Sequence, residues 1–522
     1  MSAVSVASAE SPPLPQAVRA RWLSLDGTWS VELEPGGEPL PIEVPFPFEA
    51  PLSGIGRGTE VHERLRYRRS FAVPEEWRGE HVLLRFGGVD WQARVSVDGR
   101  EVGVHEGGYT HFSFDLGPVE PGEHELLVDV WDPREGPQPR GKQRDGGGIW
   151  YTRTTGIWRP VWLEPVPRAH VESFELDASA DGRLVARVAV SEPTGVLVRC
   201  RDEVAPVGAD GVVELRVPGV RPWSPEDPAL YDVVLETESG DRVLSYAGFR
   251  TVERRGTTIL LNGRPRRFVG VLDQGFWPGG VYTAPSDEAL AADVVAAKEF
   301  GFDLARMHVK VADPRWYAWC DRIGLLVAQD FPSSFDLSTE EARAAFVAET
   351  DEIVAQLRSH PSVVIWIAFN EDWGRPGARF QLGLAARTRE RDPSRLVVDA
   401  SGWIRRGNTD LVDVHDYGDD LSGRATTGDV PLWLGECGGV QFVADGASVS
   451  DEISYAVLST GDELAARYER LVGQLGDVAG FVWTQLTDVE GELNGFLTYD
   501  RVPKLPPDRI RAANTRFREE TT

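Results

Sequence analysis

Val363-Val364-Ile365-Trp366-Ile367-Ala368-Phe369-Asn370-Glu371-Asp372 is the stretch that decides the fold. Its first seven residues are apolar and rich in β-branched and aromatic types, the pattern of a strand buried on both faces. The run ends on a polar triplet. In a parallel barrel the carboxyl ends of the strands lie at the face where active sites gather. Asn370 and Glu371 therefore stand where chemistry is expected.

Pro431-Leu432-Trp433-Leu434-Gly435-Glu436-Cys437-Gly438-Gly439 has the same grammar: a short apolar run, one carboxylate at its end, then glycines. The chain between the two glutamates has room for about three strand–helix units. Two carboxylates on one rim can face each other across a barrel mouth, which is the arrangement a glycosidase needs.

Working outward, strand candidates end at Asp273, His308, Asp330, Glu371, Asp399, Tyr417, Glu436 and Thr484. Helix candidates lie between several of them, at 286–300, 339–358 and 462–475. The first opens on Ser286 with Asp287 and Glu288 behind it, a helix start signal. Strands alternating with helices from residue 253 onward predict a (β/α)8 TIM barrel. An open doubly wound sheet is the alternative, but no Gly-x-Gly-x-x-Gly opens the first unit.

The front half reads differently. Short runs at 28–33, 81–86, 93–97 and 126–131 lie between turn signals, and Asp98-Gly99 marks a hairpin. Runs at 184–190 and 231–237 continue the style, with a rigid Pro- and Trp-containing connection at 222–228. The predicted organisation is a tail at 1–16, a jelly-roll-like β-sandwich at 17–166, an immunoglobulin-like β-sandwich at 167–252 and the barrel at 253–522.

The chain has 522 residues and a formal net charge of −27. Such a balance disfavours nucleic acid, which needs clustered basic surface. No apolar run reaches the length of a membrane span. Three distant cysteines give neither a disulfide framework nor a Cys-x-x-Cys site. The start of the chain lacks the basic and apolar regions of a signal peptide, so a cytoplasmic protein is the simplest expectation. No metal-ligand cluster stands out, and neither a metal nor another cofactor is expected. A carbohydrate substrate is the expected partner, with a homo-oligomer possible.

These residues resemble glycoside hydrolase family 2, the family of β-galactosidases, β-glucuronidases and β-mannosidases. Leu25-Asp26-Gly27-Thr28-Trp29 and Gly156-Ile157-Trp158-Arg159-Pro160-Val161-Trp162 are similar to its sugar-binding sandwich. Trp223-Ser224-Pro225 and Pro228-Ala229-Leu230-Tyr231 resemble its immunoglobulin-like domain. Trp366 with Asn370-Glu371 resembles its acid/base signature, Gly435-Glu436 its nucleophile strand, and Trp316-Tyr317 with the 320–324 segment its helix after strand two.

The resemblance implies retaining, exo-acting hydrolysis of a β-glycosidic bond, with Glu371 as acid/base, Glu436 as nucleophile and Asn370 on the sugar 2-hydroxyl. Such a pair stands about 5 Å apart, and the acid has to keep its proton near neutral pH. Asp273, His308, His415, Tyr417 and Trp483 are further substrate-binding candidates, Trp483 as an apolar floor under the sugar ring. Arg306 and Asp330 are expected to support the carboxylates as an ion pair.

Three departures bear on the substrate. The order Arg306-Met307-His308 replaces the Arg-x-x-His of many relatives, and residue 309 is Val. No Asn-x-Lys occurs anywhere, which disfavours a glucuronidase. Cys437 stands where a Tyr often follows the nucleophile. The expectation is a β-galactosidase-like enzyme. A β-mannosidase, an arabinosidase-like member or a non-catalytic glycan-binding protein are the alternatives.

Overall fold

The computed structural model describes residues 11–404, 406–442 and 456–519. In the first sandwich, a six-stranded antiparallel sheet runs in the order Leu40–Val44, Gly27–Glu32, Arg64–Val73, Gly122–Trp131, Gln92–Val97, Arg100–Glu106. It packs on a four-stranded sheet of Leu23–Ser24, Val161–Val166, His81–Phe86 and Phe112–Pro118. Alternate residues such as Trp29, Tyr67, Leu84, Val95 and Val128 fill the space between. Asp98 and Gly99 both take positive φ, 50° and 75°, and close a two-residue hairpin between Val97 and Arg100.

The second sandwich has seven strands. Three of them, Val171–Ala178, Arg183–Val190 and Val212–Arg216, form one sheet; Glu203–Pro206, Val196–Cys200, Tyr231–Thr237 and Arg242–Ala247 form the other. The connection at 222–228 does more than link them. Trp223 is fully buried, donates its Nε1–H to Asp321 O at 2.8 Å and joins the core at the barrel floor.

Eight parallel strands then form the barrel: β1 (Phe268–Asp273), β2 (Leu304–Met307), β3 (Leu326–Asp330), β4 (Val363–Ile367), β5 (Leu396–Val398), β6 (Val412–Asp416), β7 (Leu432–Gly438) and β8 (Gly480–Thr484). Their order is β5-β4-β3-β2-β1-β8-β7-β6, so the ring is paired everywhere except at the β5–β6 seam. The helices are α1 (Asp287–Glu299), α2 (Pro314–Ile323), α3 (Glu340–Leu357), α4 (Ala378–Arg391), α5 (Gly461–Val472) and α6 (Asp508–Glu519). Ser286, Thr339 and Thr460 cap α1, α3 and α5 through their hydroxyls.

The full alternation of strand and helix fails at two places. Among the described residues no helix joins β5 to β6 or β6 to β7. Those links are rich in Gly, Ser, Thr, Asn and Asp, residues that favour turns over helix. No helix among the described residues is long and apolar enough to cross a membrane.

Side-chain alternation fills the barrel in two tiers. Leu272, Leu304, Leu326, Ile365, Ile367, Trp433 and Val482 pack the lower one. A small antiparallel sheet of Val252–Arg255, Thr258–Leu261 and Arg264–Pro265 lies under it, adding Val252, Ile259 and Leu261 to that core. The upper tier is polar and carries the candidate site.

The first sandwich docks on the barrel by buried polar contacts. Arg159, 2% exposed, donates to Tyr109 O at 2.8 Å on its own side and to Val311 O and Ala312 O on the barrel, at 2.7 and 2.8 Å. Glu349 of α3 accepts from Tyr109 N at 2.8 Å. Arg19 ties the two sandwiches together through Glu164 and Asp241, each at 2.8 Å. Of the segment read as a tail, residues 1–10 lie outside the described residues. Leu14 is buried, and Gln16 accepts from Ser245 at 2.9 Å. Cys200, Cys320 and Cys437 are buried free thiols.

The Glu349 contact makes stability depend on pH. Burial, with Asp90 and Glu352 nearby, pushes this carboxyl up to about 8. A carboxyl whose folded pKa exceeds its unfolded value near 4.3 takes up a proton on folding, so stability falls as pH rises from about 4 to about 8. Glu349→Gln keeps the acceptor for Tyr109 N without the titration. Calorimetric Tm from about pH 5 to about pH 9 should fall less steeply in the variant than in the parent. Parallel curves would remove Glu349 from the cause.

Candidate active site

Arg306 is the centre of the upper tier. Leu304 points into the barrel, so Arg306, two residues further along β2, does too. It is fully buried. Its Nε donates to Asp330 Oδ1 at 3.0 Å, and its Nη2 donates to Asp330 Oδ2, Asn370 Oδ1 and Ser401 Oγ at 3.0, 2.9 and 3.1 Å. Its Nη1 donates to Gly435 O and Glu436 Oε1 at 3.0 and 3.2 Å. One guanidinium thus fixes the ends of β3, β4, β5 and β7. Burial opposes the charge, but Asp330, Glu436 and Asp413 keep the guanidinium above its ordinary pKa.

Asp330 also accepts from His308 Nδ1 at 2.8 Å and from Val309 N at 3.2 Å. Burial would raise its pKa, yet Arg306 and His308 hold it below the ordinary value. His308 is itself kept low by burial.

Glu436 reaches the interior through a bulge. Leu434 and Cys437 of β7 pair with Phe481 and Trp483 of β8, so β7 carries one extra residue there. Leu434 packs outward, and without the bulge Glu436 would follow it. Gly435 allows the bend: a Cβ on it would stand 2.2 Å from Asp413 Oδ1. The Glu436 carboxylate, on a residue 5% exposed, accepts from Arg306 at Oε1 and from the Tyr417 hydroxyl at Oε2. Nε2 of His415 and of His308 lie 3.6 and 3.9 Å from Oε1. Burial alone would raise this carboxyl; His415, His308, Arg306 and the Tyr417 hydrogen bond reverse that and hold it down at about 2. It is ionised at neutral pH.

Glu371 lies just beyond β4 with φ of 49°, a left-handed conformation unusual for a side chain of its size. Gly402 packs against it, where a Cβ would come 3.2 Å from its Cγ. Its side chain is 17% exposed, and one oxygen is bonded to His415 Nδ1 at 2.5 Å. Ligand atoms of Glu371, His415 and Glu436 all lie within 4.8 Å of one another. That trio has the donor types of a cation site. Arg306 already supplies a positive charge at Glu436 Oε1, so the arrangement suits sharing protons better than holding a metal.

The remaining sequence candidates divide. Asn370, His308 and Tyr417 join the cluster. Asn370 uses its Oδ1 for Arg306 and Ser401, and its Nδ2 has no partner among the described residues. His415 sits between the carboxylates with its side chain fully covered, its Nδ1 on Glu371 and its Nε2 3.6 Å from Glu436. Asp273 and Trp483 are not brought in. Leu272 and Val482 point into the barrel, so the next residue on each strand points out. Asp273 faces Lys310 and Asp293 around a separate small cavity. Trp483, unexposed, packs on Tyr468 of α5 at 4.6 Å and cannot floor the site.

Several residues of the site carried no sequence signal. Ser401 and Gly402 lie in the β5–β6 link, and Asp413 lies inside β6, where burial raises its carboxyl to about 6. Trp403, 61% exposed, stands edge-on to His415 at 5.8 Å. Only an exposed Trp beside a barrel-strand end could have been flagged.

Comparison with known proteins adds three family matches. Residues 19–167 match the model described as "Glycosyl hydrolases family 2, sugar binding domain", 168–250 that of "Glycosyl hydrolases family 2", and 252–417 that of "Glycosyl hydrolases family 2, TIM barrel domain". A β-galactosidase of Thermoanaerobacter pseudethanolicus is 28% identical over 336 residues, 58% of this chain and 44% of its own length. One from Aeromonas hydrophila is 28% identical over 460 residues, 76% of this chain and 43% of its own. The chain spans less than half the length of these curated relatives. A solved structure of a β-galacturonidase from Eisenbergiella tayi bound to galacturonate superposes with a TM-score of 0.80 at 20% identity, covering 96% of this chain and 98% of that one, a likeness of fold.

Removing the central cation should be costly. Arg306→Met leaves Asp330 and Glu436 buried without their guanidinium, a change expected to destabilise the barrel by about 3–5 kcal/mol. Urea unfolding midpoints measure it. A loss under about 1 kcal/mol would mean the network does not hold the strand ends together.

Proposed function

This chain belongs to glycosyl hydrolases family 2, and from that premise we propose that it is a retaining, exo-acting β-glycosidase, β-galactosidase-like in its glycone. The observation that carries the reading is the 4.8 Å cluster of Glu371, His415 and Glu436. Retaining pairs stand about 5–5.5 Å apart, inverting pairs roughly 6.5–9.5 Å, because the latter must admit a water. The β-galactosidase names of the two sequence relatives support the galactose-type glycone.

The two carboxylates have different surroundings and so different roles. Glu436, ionised by the cations and hydroxyl around it, is the nucleophile. Its carboxylate attacks the anomeric carbon as the glycosidic C–O bond breaks, and the departing oxygen takes a proton from Glu371. A glycosyl ester on Glu436 results. Glu371, now a carboxylate, draws a proton from water; the water oxygen attacks the anomeric carbon and Glu436 leaves. In this reading Asn370, its Oδ1 held by Arg306 and Ser401, donates its Nδ2 to the sugar 2-hydroxyl. Tyr417 and Arg306 hold the nucleophile's oxygens apart in two fixed directions.

Two single replacements separate the roles. Glu436→Gly should lose turnover of every aryl β-galactoside, and azide should restore some rate with an α-galactosyl azide product. Glu371→Ala should keep glycosylation by dinitrophenyl substrates and lose roughly 10²–10⁴-fold on poor leaving groups, with azide giving the β-product. Azides of the opposite anomers would reverse the assignment. Absence of turnover from the parent protein on a panel of aryl glycosides would return the chain to the glycan-binding reading.

His415 supplies a pH test. It is the foremost of the groups that lower the Glu436 pKa. Losing it should raise that pKa, so the acidic limb of kcat/KM should move to higher pH in His415→Gln. A limb that stays in place or moves to lower pH would show that His415 does not act on the nucleophile.

A further inference from the structure

A hairpin of the first sandwich crosses to the barrel mouth. Its strands, Gln143–Gly147 and Trp150–Thr152, are pinned on two sides. Just before it, Arg140 N and Gly141 N donate to Ser333 O, in the loop after β3, at 2.8 and 2.9 Å. Thr152 N donates to Glu490, beyond β8, at 3.0 Å, and the Tyr151 hydroxyl donates to Glu492. The hairpin is therefore part of the rim.

On that rim it completes an aromatic wall. Trp150 lies 5.0 Å from Trp373, two residues beyond Glu371, and 5.5 Å from Phe335 of the loop after β3. Trp373 in turn lies 6.2 Å from His308, whose Nε2 is 3.9 Å from Glu436. The wall is thus continuous with the carboxylates. Phe335 is 39% exposed, and Trp150 and Trp373 are half-buried.

Arg144 closes the wall. Its guanidinium sits 5.4 Å from the ring centres of both Trp150 and Phe335, and the side chain is exposed. Among the described residues no carboxylate lies within ion-pair distance of it. Arg140, also against Phe335 at 5.7 Å, has a buried Nη2 with no hydrogen-bond partner. A chain of net charge −27 has an overall field that repels anions. The exposed Arg144 guanidinium at the rim opposes that field locally, with Arg140, which has Asp132 and Asp90 near it, buried behind it. Arginine on an aromatic face, with its donor edge free, is the usual geometry for binding a planar anion.

We propose that Arg144, held across Trp150 and Phe335, binds an acidic group carried on a ring of the substrate, and so sets specificity. This rests on the glycosidase reading. The shared chemistry is a ring-borne carboxylate, and it has two sources: the glycone, as in a uronic acid, or the leaving group.

Three substrates separate these sources: p-nitrophenyl β-galactoside, p-nitrophenyl β-galacturonide, and 3-carboxy-4-nitrophenyl β-galactoside. Arg144→Gln should leave the neutral substrate within about twofold, and lower kcat/KM for one acidic substrate by roughly 10–100-fold, the worth of one charge-assisted hydrogen bond. The substrate that falls identifies the source. Equal loss on all three would mean Arg144 only packs the hairpin, and loss on none would mean it binds nothing; either overturns the proposal. If the parent protein turns over no glycoside, the glycosidase reading fails separately. Calorimetric titration then decides, with galacturonate against galactose and 4-hydroxybenzoate against phenol. Binding of an acidic member that disappears in Arg144→Gln supports the subsite, and no preference for either acid overturns it.

Discussion

Arg306 puts a permanent positive charge inside a barrel, with no solvent to share it. A buried guanidinium is tolerable only when its donors meet acceptors. Here those acceptors come from the ends of four different strands, at Asp330, Asn370, Gly435 with Glu436, and Ser401. The requirement runs both ways. Asp330 and Glu436 would be costly anions without Arg306, and Arg306 would be a costly cation without them. Satisfying one residue therefore fixes the relative positions of the others, and the geometry of the site follows from an electrostatic condition on the fold.

That condition also makes the two glutamates unequal. Glu436 lies in the charged interior, against Arg306 and two imidazoles, and stays ionised. Glu371 stands further out on a left-handed residue, with solvent access and one bond to His415. His415 touches both, through opposite ring nitrogens. In the proposed reaction two identical carboxyls take opposite tasks from their surroundings, the general way one fold runs acid and base chemistry together.

Much of this was legible because strand ends and turns carry strong local signals. The run at 363–369 gave β4, and the helix caps at Ser286 and Thr339 stand where the chain predicts helices. Expectation and structure part where a position along a strand was used without its facing. Asp273 ends its strand as Asp330 does, and Trp483 is next to last as Arg306 is, but Leu272 and Val482 have already taken the inward places. Deciding between them needs the register, which one sequence does not contain. The β5–β6 link was silent for another reason. Ser401 and Gly402 act through where the backbone carries them, and their residue types are those of any loop.

Glu436 shows that even a correct alternation can mislead. Counting from Trp433, an inward residue, Gly435 faces in and Glu436 faces out. The extra residue in β7 turns the glutamate inward, at the cost of a broken ladder. Only glycine fits beside Asp413 at the bend. The Gly-Glu pair is thus a single device: the glycine gives the strand room to slip, and the slip aims the carboxylate. Glu371 is aimed by the same kind of irregularity. Its positive φ takes it out of strand geometry, and Gly402 leaves space for its side chain. Both carboxylates reach the mouth because regular β structure stops at each of them, and the Arg306 network holds those interruptions in place.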